Sequence, residues 1–238
     1  MSDILEYKSV SKNFGEKQVL KDINLKIGSG KIVGLLGKNG SGKSTLFKLA
    51  NDLLTLTSGE ILICGKSVSV ESKKVVSYLP ERSYLDQSLK VSEALDLFED
   101  FYEDFDRVKA ESLLIDLDLD KNMKLSKMSK GMKEKVQLVL VMSRNAKIYI
   151  LDEPLGGVDP ASRDYILKTI LKNFNKKSTL FISTHMIADI ENILDEVVII
   201  GGGKVIKHDT AEMIRKKEKC SIDEFFRRMF YVDKVVKK

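Results

Sequence analysis

"KIVGLLGKNGSGKSTLFKLANDLL", residues 31–54, decides the fold. An apolar run with small residues (31–37) leads into a glycine loop, and a helical pattern begins at Lys43. Residues Gly37-Lys38-Asn39-Gly40-Ser41-Gly42-Lys43-Ser44 match G-x-x-x-x-G-K-[ST] at every fixed position. Glycines there let the backbone wrap closely around a phosphate, successive N–H groups point inward, and the following helix adds its positive end. Lys43 is expected to reach β- and γ-phosphates and the Ser44 hydroxyl to ligate Mg²⁺. Asn39, Ser41 and Thr45 complete the candidate phosphate-binding set. A chance glycine turn is the competing reading, and the strand before and helix after weigh against it.

Outward from this stretch, the first 80 residues are β-rich: "ILEYKSVSKNF" (4–14), "QVLKDINLKI" (18–27), "GEILICGKSV" (59–68) and "VVSYLP" (75–80). Between about 85 and 145, apolar residues recur at three- and four-residue spacing. The spacing predicts helices in "KVSEALDLFEDFYEDF" (90–105), "DRVKAESLLIDLDLD" (106–120) and "KGMKEKVQLVLVMSRN" (130–145). Strand and helix then alternate again: "KIYILDEP" (147–154), a helix led by Pro160, "STLFISTH" (178–185), a short helix and a hairpin around three glycines. Such alternation implies a mostly parallel sheet with helices on its faces. "SIDEFFRRMFYV" (221–232) reads as an amphipathic helix.

Two further motifs carry chemistry. "IYILDEP" (148–154) is an apolar strand ending in two acids. At the carboxyl end of such a strand they lie near the phosphate loop, so Asp152 is expected to hold Mg²⁺ through water and Glu153 to orient and polarise an attacking water. His185 closes another apolar strand and is expected to face the γ-phosphate.

The phosphate loop, "LDEP", "GGVD" (156–159) and the strand-terminal histidine resemble ATP-binding-cassette ATPases in order and spacing, over residues 3 to about 210. The resemblance implies an α/β P-loop NTPase (RecA-like) core with an N-terminal antiparallel β subdomain and an α-helical subdomain. It divides one cassette into core and β subdomain (1–84 and 146–215), helical subdomain (85–145) and C-terminal helical tail (216–238). Catalytic roles fall to Glu153, His185 and Lys43, and metal ligation to Ser44, Asp152 and Glu81. Phe14 takes the adenine-stacking position and Asp159 the family's D-loop position. The family's signature slot is here Met128-Ser129-Lys130-Gly131-Met132, so Ser129 and Gly131 are expected to cap the ATP of a second cassette facing head to tail. Lys130 and Met132 depart from the pattern, as does Glu81, where the family often has glutamine. Gln87 is a weaker candidate for that role. The signature element is expected to lie across the sheet from its own phosphate loop.

Among 238 residues the net charge is +5, with acidic and basic residues interspersed along the chain; so small a basic balance decides no partner, and with the family resemblance no nucleic acid is expected. The two cysteines, Cys64 and Cys220, lack metal-ligand spacing and read as free thiols of a reducing compartment. No basic-then-apolar leader opens the sequence, and no run reaches the roughly 18 apolar residues of a membrane span. Expected partners are transmembrane permease subunits and a second ATPase subunit, the same or different, at the cytoplasmic face of the membrane. ATP and Mg²⁺ are the expected cofactors. The tail and loop style resembles the bacterial exporter branch serving peptides, antibiotics or lipids. Two alternatives are a cassette ATPase without a transporter, for example in cluster assembly, and a P-loop kinase or GTPase. The absence of N-K-x-D after a strand counts against a GTPase.

Overall fold

A computed structural model describes residues 3–231. Met1, Ser2 and residues 232–238 of the expected tail lie outside the described residues, as do the side chains of residues 160–162 and 231.

The chain opens with β1 (Asp3–Phe14), β2 (Lys17–Gly28) and β3 (Ile32–Leu36), followed by α1 (Lys43–Ala50). Next come β4 (Ser58–Ile63), β5 (Lys66–Ser67), α2 (Val70–Lys73) and β6 (Val76–Leu79). Helices α3 (Val91–Phe101), α4 (Arg107–Asp116) and α5 (Lys130–Met142) then precede β7 (Ile148–Asp152), α6 (Pro160–Asn173) and β8 (Thr179–Thr184). The described chain closes with α7 (Ile187–Ile190), β9 (Glu196–Gly201), β10 (Lys204–Thr210), α8 (Ala211–Glu218) and α9 (Ile222–Tyr231).

These elements form two sheets. One has four strands in the order β2-β1-β4-β5, all antiparallel. The other has six strands in the order β10-β9-β3-β8-β7-β6. Its neighbours from β9 to β6 run parallel, and β10 pairs antiparallel at the edge. Strand periodicity explains why the central strands read as unbroken apolar runs. In β3, Val33 and Leu35 enter one core while Leu36 enters the other; in β7, Ile148 and Ile150 oppose Tyr149 and Leu151 in the same way. A strand covered on both faces has no polar side to show.

Helix α1 fills the space between the two sheets, burying Leu46, Phe47 and Leu49, with the Phe47 ring edge-on to Phe181 at 4.8 Å. The opposite face of the six-stranded sheet is covered by helices. Parallel pairing aligns the carboxyl ends of β3, β6, β7 and β8, with Leu36 opposite Thr184, Asp152 opposite Ser183 and Leu79 opposite Leu151. The glycine loop, Glu81, Asp152 with Glu153, and His185 all leave the sheet along this one edge, where ligands of parallel sheets bind.

Several elements differ from the sequence reading: the short α2 (Val70–Lys73) is not expected from it, and α4 and α5 end at Asp116 and Met142, short of the expected 120 and 145. Helix α3 stops at Phe101 rather than continuing through Phe105, because Tyr102 turns extended (φ −127°, ψ 105°). Helix α8 had no counterpart in the apolar spacing; it is a basic helix with only Ala211 and Ile214 buried, started by the Thr210 hydroxyl accepting from the Met213 N–H at 3.1 Å.

Arg144 explains the break at Tyr102. Only 3% exposed, its guanidinium lies 3.7 Å from the centre of the Tyr102 ring and donates to Asp104 Oδ1 at 2.8 Å. It also donates to the carbonyls of Lys74 (2.8 Å) and Val76 (2.7 Å), joining the helical segment to the start of β6. With a third, longer contact to the Lys73 carbonyl at 3.4 Å, truncation strands three carbonyls and leaves the three-quarters-buried Asp104 carboxylate without its cation. Arg144→Ala is therefore expected to cost roughly 3 kcal/mol of folding stability, read as a lowered urea midpoint, and Arg144→Lys to recover less than half of that loss.

Candidate nucleotide site

Beyond the carboxyl ends of the strands lies a cavity of about 850 Å³. Its floor is the glycine loop and the first turn of α1: Asn39, Gly40, Gly42, Lys43, Ser44 and Thr45. The loop needs its glycines for definite reasons. A Cβ at Gly37 would sit 2.7 Å from the Ile200 carbonyl oxygen and 2.5 Å from Ser41 Oγ, and Gly42 has φ +108° with Leu20 2.7 Å from any added Cβ. The buried Ser41 hydroxyl has no hydrogen-bond partner among the described residues.

Lys43 is 5% exposed. Its ammonium donates to the Gly37 carbonyl at 2.9 Å and pairs with Glu153 Oε1 at 3.2 Å. The other Glu153 oxygen, Oε2, lies 2.8 Å from His185 Nδ1 and accepts from the His185 N–H at 3.3 Å. The three residues given catalytic roles by the family likeness thus form one connected chain of polar contacts at the cavity wall. Glu153 is held there in a left-handed conformation, φ 51°, which costs a non-glycine residue roughly 1–2 kcal/mol. Its N–H is locked by Ser183, to the carbonyl at 3.1 Å and to the hydroxyl at 3.0 Å. Backbone strain of this kind persists only where the surroundings over-determine it.

Asp152 is 1% exposed. Its Oδ1 accepts from the Ser183 hydroxyl at 2.5 Å, while Oδ2 has no hydrogen-bond partner among the described residues. Burial pushes its pKa up, hydrogen bonding to the Ser183 and Ser44 hydroxyls opposes this, and the charges of Glu81 and Glu153 add to the rise. A buried carboxylate oxygen without a partner, beside a loop that ends in the Ser44 hydroxyl, fits a small hard cation. No group of three His, Cys, Asp or Glu side chains gathers among the described residues. Mg²⁺ needs no such cage, since it binds through one or two protein oxygens plus substrate phosphates and water.

Glu81 follows β6 and is exposed on the cavity rim. It also lines a second, more apolar groove of about 750 Å³ that runs along α3. Gln87 is tied to its own turn, donating to the Leu85 carbonyl at 2.9 Å. Phe14 is 47% exposed at the end of β1, with Lys12 Nζ 4.9 Å from its ring centre, which sets aside its reading as a core side chain. It is not among the cavity's lining residues; the nearest in sequence that are, Lys17 and Val19, begin β2. Asp159 is exposed, and its carbonyl accepts from the Arg163 N–H at 3.2 Å.

The signature slot corrects one expectation. Ser129 caps α5, its hydroxyl accepting from the Met132 N–H at 3.3 Å, and neither Ser129 nor Gly131 lines the cavity. The next residues do: Lys130, Lys133 and Glu134 line the cavity of their own chain. Lys130 bridges to Glu134 at 3.7 Å and lies against Gly157, where an added Cβ would be 2.8 Å from its ammonium. The element is therefore not wholly across the sheet from its own phosphate loop, because the first turns of α5 pass beside the Gly156–Gly157 turn. Ser183 was missed by sequence reasoning. Its signal was a hydroxyl following the apolar run Leu180–Ile182, two residues before His185.

Residues 20–156 match the family model described as "ABC transporter". The chain is 29% identical over 226 residues to the "Lipopolysaccharide export system ATP-binding protein LptB" of Haemophilus influenzae, covering 90% of this chain and 94% of that protein. It is 32% identical to the "Energy-coupling factor transporter ATP-binding protein EcfA" of Methanocaldococcus jannaschii, covering 82% of this chain and 75% of that protein. A solved structure described as "Structure of ATP binding subunit of ABC transporter" superposes with a TM-score of 0.85 at 29% identity, over 95% of this chain and 99% of that one.

Proposed function

The chain belongs to the ABC transporter family of ATP-binding proteins, and from that premise we propose that it is the ATP-hydrolysing subunit of a membrane transporter of the exporter type. In this reading it closes head to tail with a second cassette around ATP. The single observation that carries the catalytic part is the contact chain Lys43–Glu153–His185 at the wall of the loop cavity.

The phosphates of ATP enter the glycine loop, where inward N–H groups and the amino end of α1 meet their charge. Lys43 exchanges Glu153 for the β- and γ-phosphates, since a dense anionic group outcompetes one carboxylate for a buried ammonium. Glu153, released on that side, accepts a proton from the attacking water as its oxygen bonds to the γ-phosphorus; the bond to the β–γ bridging oxygen breaks and ADP leaves. His185 holds Glu153 Oε2 in place and presents its other ring nitrogen to the γ-phosphate side. Ser44 and Asp152 would hold Mg²⁺, with Glu81 at the rim meeting its waters; the ion supplies neutralisation of charge between the β- and γ-phosphates.

The second cassette contributes Ser129 and Gly131 at the start of α5. Ser129→Arg is expected to lower turnover at least about tenfold, the equivalent of one lost contact of about 1.4 kcal/mol. ATP affinity of the single chain is expected to stay within about twofold of wild type, since Ser129 does not line its own cavity. Steady-state hydrolysis and a nucleotide titration check the two halves, and wild-type turnover would remove Ser129 from the site.

Transmembrane subunits are placed in the apolar groove beside α3. Leu53, Tyr84, Leu97 and Phe101 are each more than 40% exposed there, and Glu81 lines both this groove and the nucleotide cavity. No helix among the described residues is long and apolar enough to cross a membrane; the likeness to ATP-binding proteins of transporters is what supports assigning the membrane part to separate chains and this chain to the cytoplasmic face. Affinity purification from detergent-solubilised cells is expected to retain a protein with several membrane spans. Exclusively soluble partners would overturn the transporter assignment and leave the ATPase.

A further inference from the structure

We propose that the carboxyl end of α9 braces the phosphate loop, with Lys38 and Phe230 as positioning residues for the nucleotide. The inference rests on the reading of residues 37–44 as the ATP cradle.

Lys38 is the second residue of the loop and is 192 positions away from Phe230 in the chain. Its ammonium donates to the Phe230 carbonyl at 2.6 Å and lies 5.2 Å from the centre of the Phe230 ring. Both contacts have a physical basis. A backbone carbonyl with two lone pairs is a good acceptor for an ammonium, and the hydrogen bond is strengthened by the charge. A cation near an aromatic face is attracted by the ring's quadrupole.

Phe230 is itself anchored. Its ring centre lies 4.6 Å from that of the Phe226 ring, tilted by 47°, and Phe226 is buried in the main core together with Ile222. The Asp223 N–H donates to Glu191 Oε2 at 3.1 Å, fixing the amino end of α9 to the segment after α7. The Phe230 ring lies so close to Gly201 that a Cβ there would be 3.0 Å from it. Gly201 ends β9, and the preceding residue, Ile200, presses its carbonyl against Gly37 at the root of the loop. The loop is therefore held twice at its start, at Gly37 by the end of β9 and at Lys38 by the end of α9.

A glycine-rich loop has many conformations to lose when it closes on phosphates. Contacts that order it beforehand lower that cost and so raise affinity without entering the chemistry. The brace predicts a change in nucleotide binding with little change in the catalytic step.

The test uses the full-length chain and four variants: Phe230→Ala, Lys38→Met, Lys38→Arg and the double variant Phe230→Ala/Lys38→Met. Titration with Mg-ATP is expected to show Phe230→Ala binding about fivefold more weakly, with KM raised by the same factor and kcat within about twofold. Lys38→Met, which removes the hydrogen bond to the Phe230 carbonyl together with the ring contact, is expected to bind at least as weakly as Phe230→Ala, the double variant to be no weaker than Lys38→Met, and Lys38→Arg to retain most of the affinity. Wild-type affinity in a folded Lys38→Met protein would overturn the brace, as would losses that multiply in the double variant, and wild-type affinity in a folded Phe230→Ala protein would overturn the part given to the ring. If Phe230→Ala does not fold, Phe230→Leu removes the ring and keeps the backbone carbonyl that Lys38 meets, and unchanged affinity in folded Lys38→Met, which loses both contacts, overturns the brace. Failure of the wild-type chain to bind ATP would instead overturn the reading of the site itself.

Discussion

Glu153→Gln is expected to lower ATP hydrolysis by about 10²–10⁴-fold, the usual contribution of a positioned general base, while ATP binding persists or tightens. The amide keeps the shape of the side chain and its contact with His185, so the geometry at the end of β7 survives. What it removes is the charge that pairs with Lys43 Nζ at 3.2 Å and the capacity to take a proton from water. The strained backbone, φ 51°, is fixed by Ser183 through the N–H, which the substitution leaves untouched. With Lys43 no longer drawn to a carboxylate, the phosphates meet a cation already free to bind them. Phosphate release and a fluorescent-nucleotide titration separate the two effects. Wild-type turnover in this variant would take Glu153 out of the base role.

Lys43→Ala acts on the opposite half of the same pair and is expected to abolish useful nucleotide binding. Truncating one partner of a desolvated charge contact costs roughly 2–5 kcal/mol, or about 30-fold to several thousand-fold in Kd. The site offers no substitute from within the loop, because Lys38 is engaged with Phe230 on α9. Lys130 is 79% exposed and held to Glu134. The variant also leaves Glu153 Oε1 without its cation in a place where that side chain is only 9% exposed, so a modest loss of stability accompanies the loss of binding. Calorimetric titration with Mg-ATP measures the first and a denaturant melt the second. A Kd within threefold of wild type would show that the loop binds phosphate without this ammonium.

The parts of the site that were legible in the sequence are those where covalent order sets spatial order. A strand running directly into a glycine loop and a helix leaves little freedom, so residues 37–45 could be placed from spacing alone. Asp152, Glu153 and His185 could be placed because apolar strands of a parallel sheet deliver whatever follows them to one edge. Contacts between remote segments were not legible. Lys130 and Lys133 reach the cavity only because α5 passes beside the Gly156–Gly157 turn, and Ser183 matters through its register with Asp152. The early end of α3 depends on Arg144, more than forty residues further along the chain, whose guanidinium attracts the Tyr102 ring and Asp104. Helix α8 escaped because its stability comes from a threonine cap and a basic surface rather than from an apolar stripe.

The central claim is that ATP is held between two cassettes. Light scattering on the Glu153→Gln protein measures this most directly, because hydrolysis no longer dissolves the assembly. With Mg-ATP the scattering mass is expected to rise from that of a single 26.8 kDa chain to that of two cassettes, and with Mg-ADP to stay at one. A strictly single-chain mass at saturating Mg-ATP, both alone and with any ATPase subunit that co-purifies with it, would contradict the account.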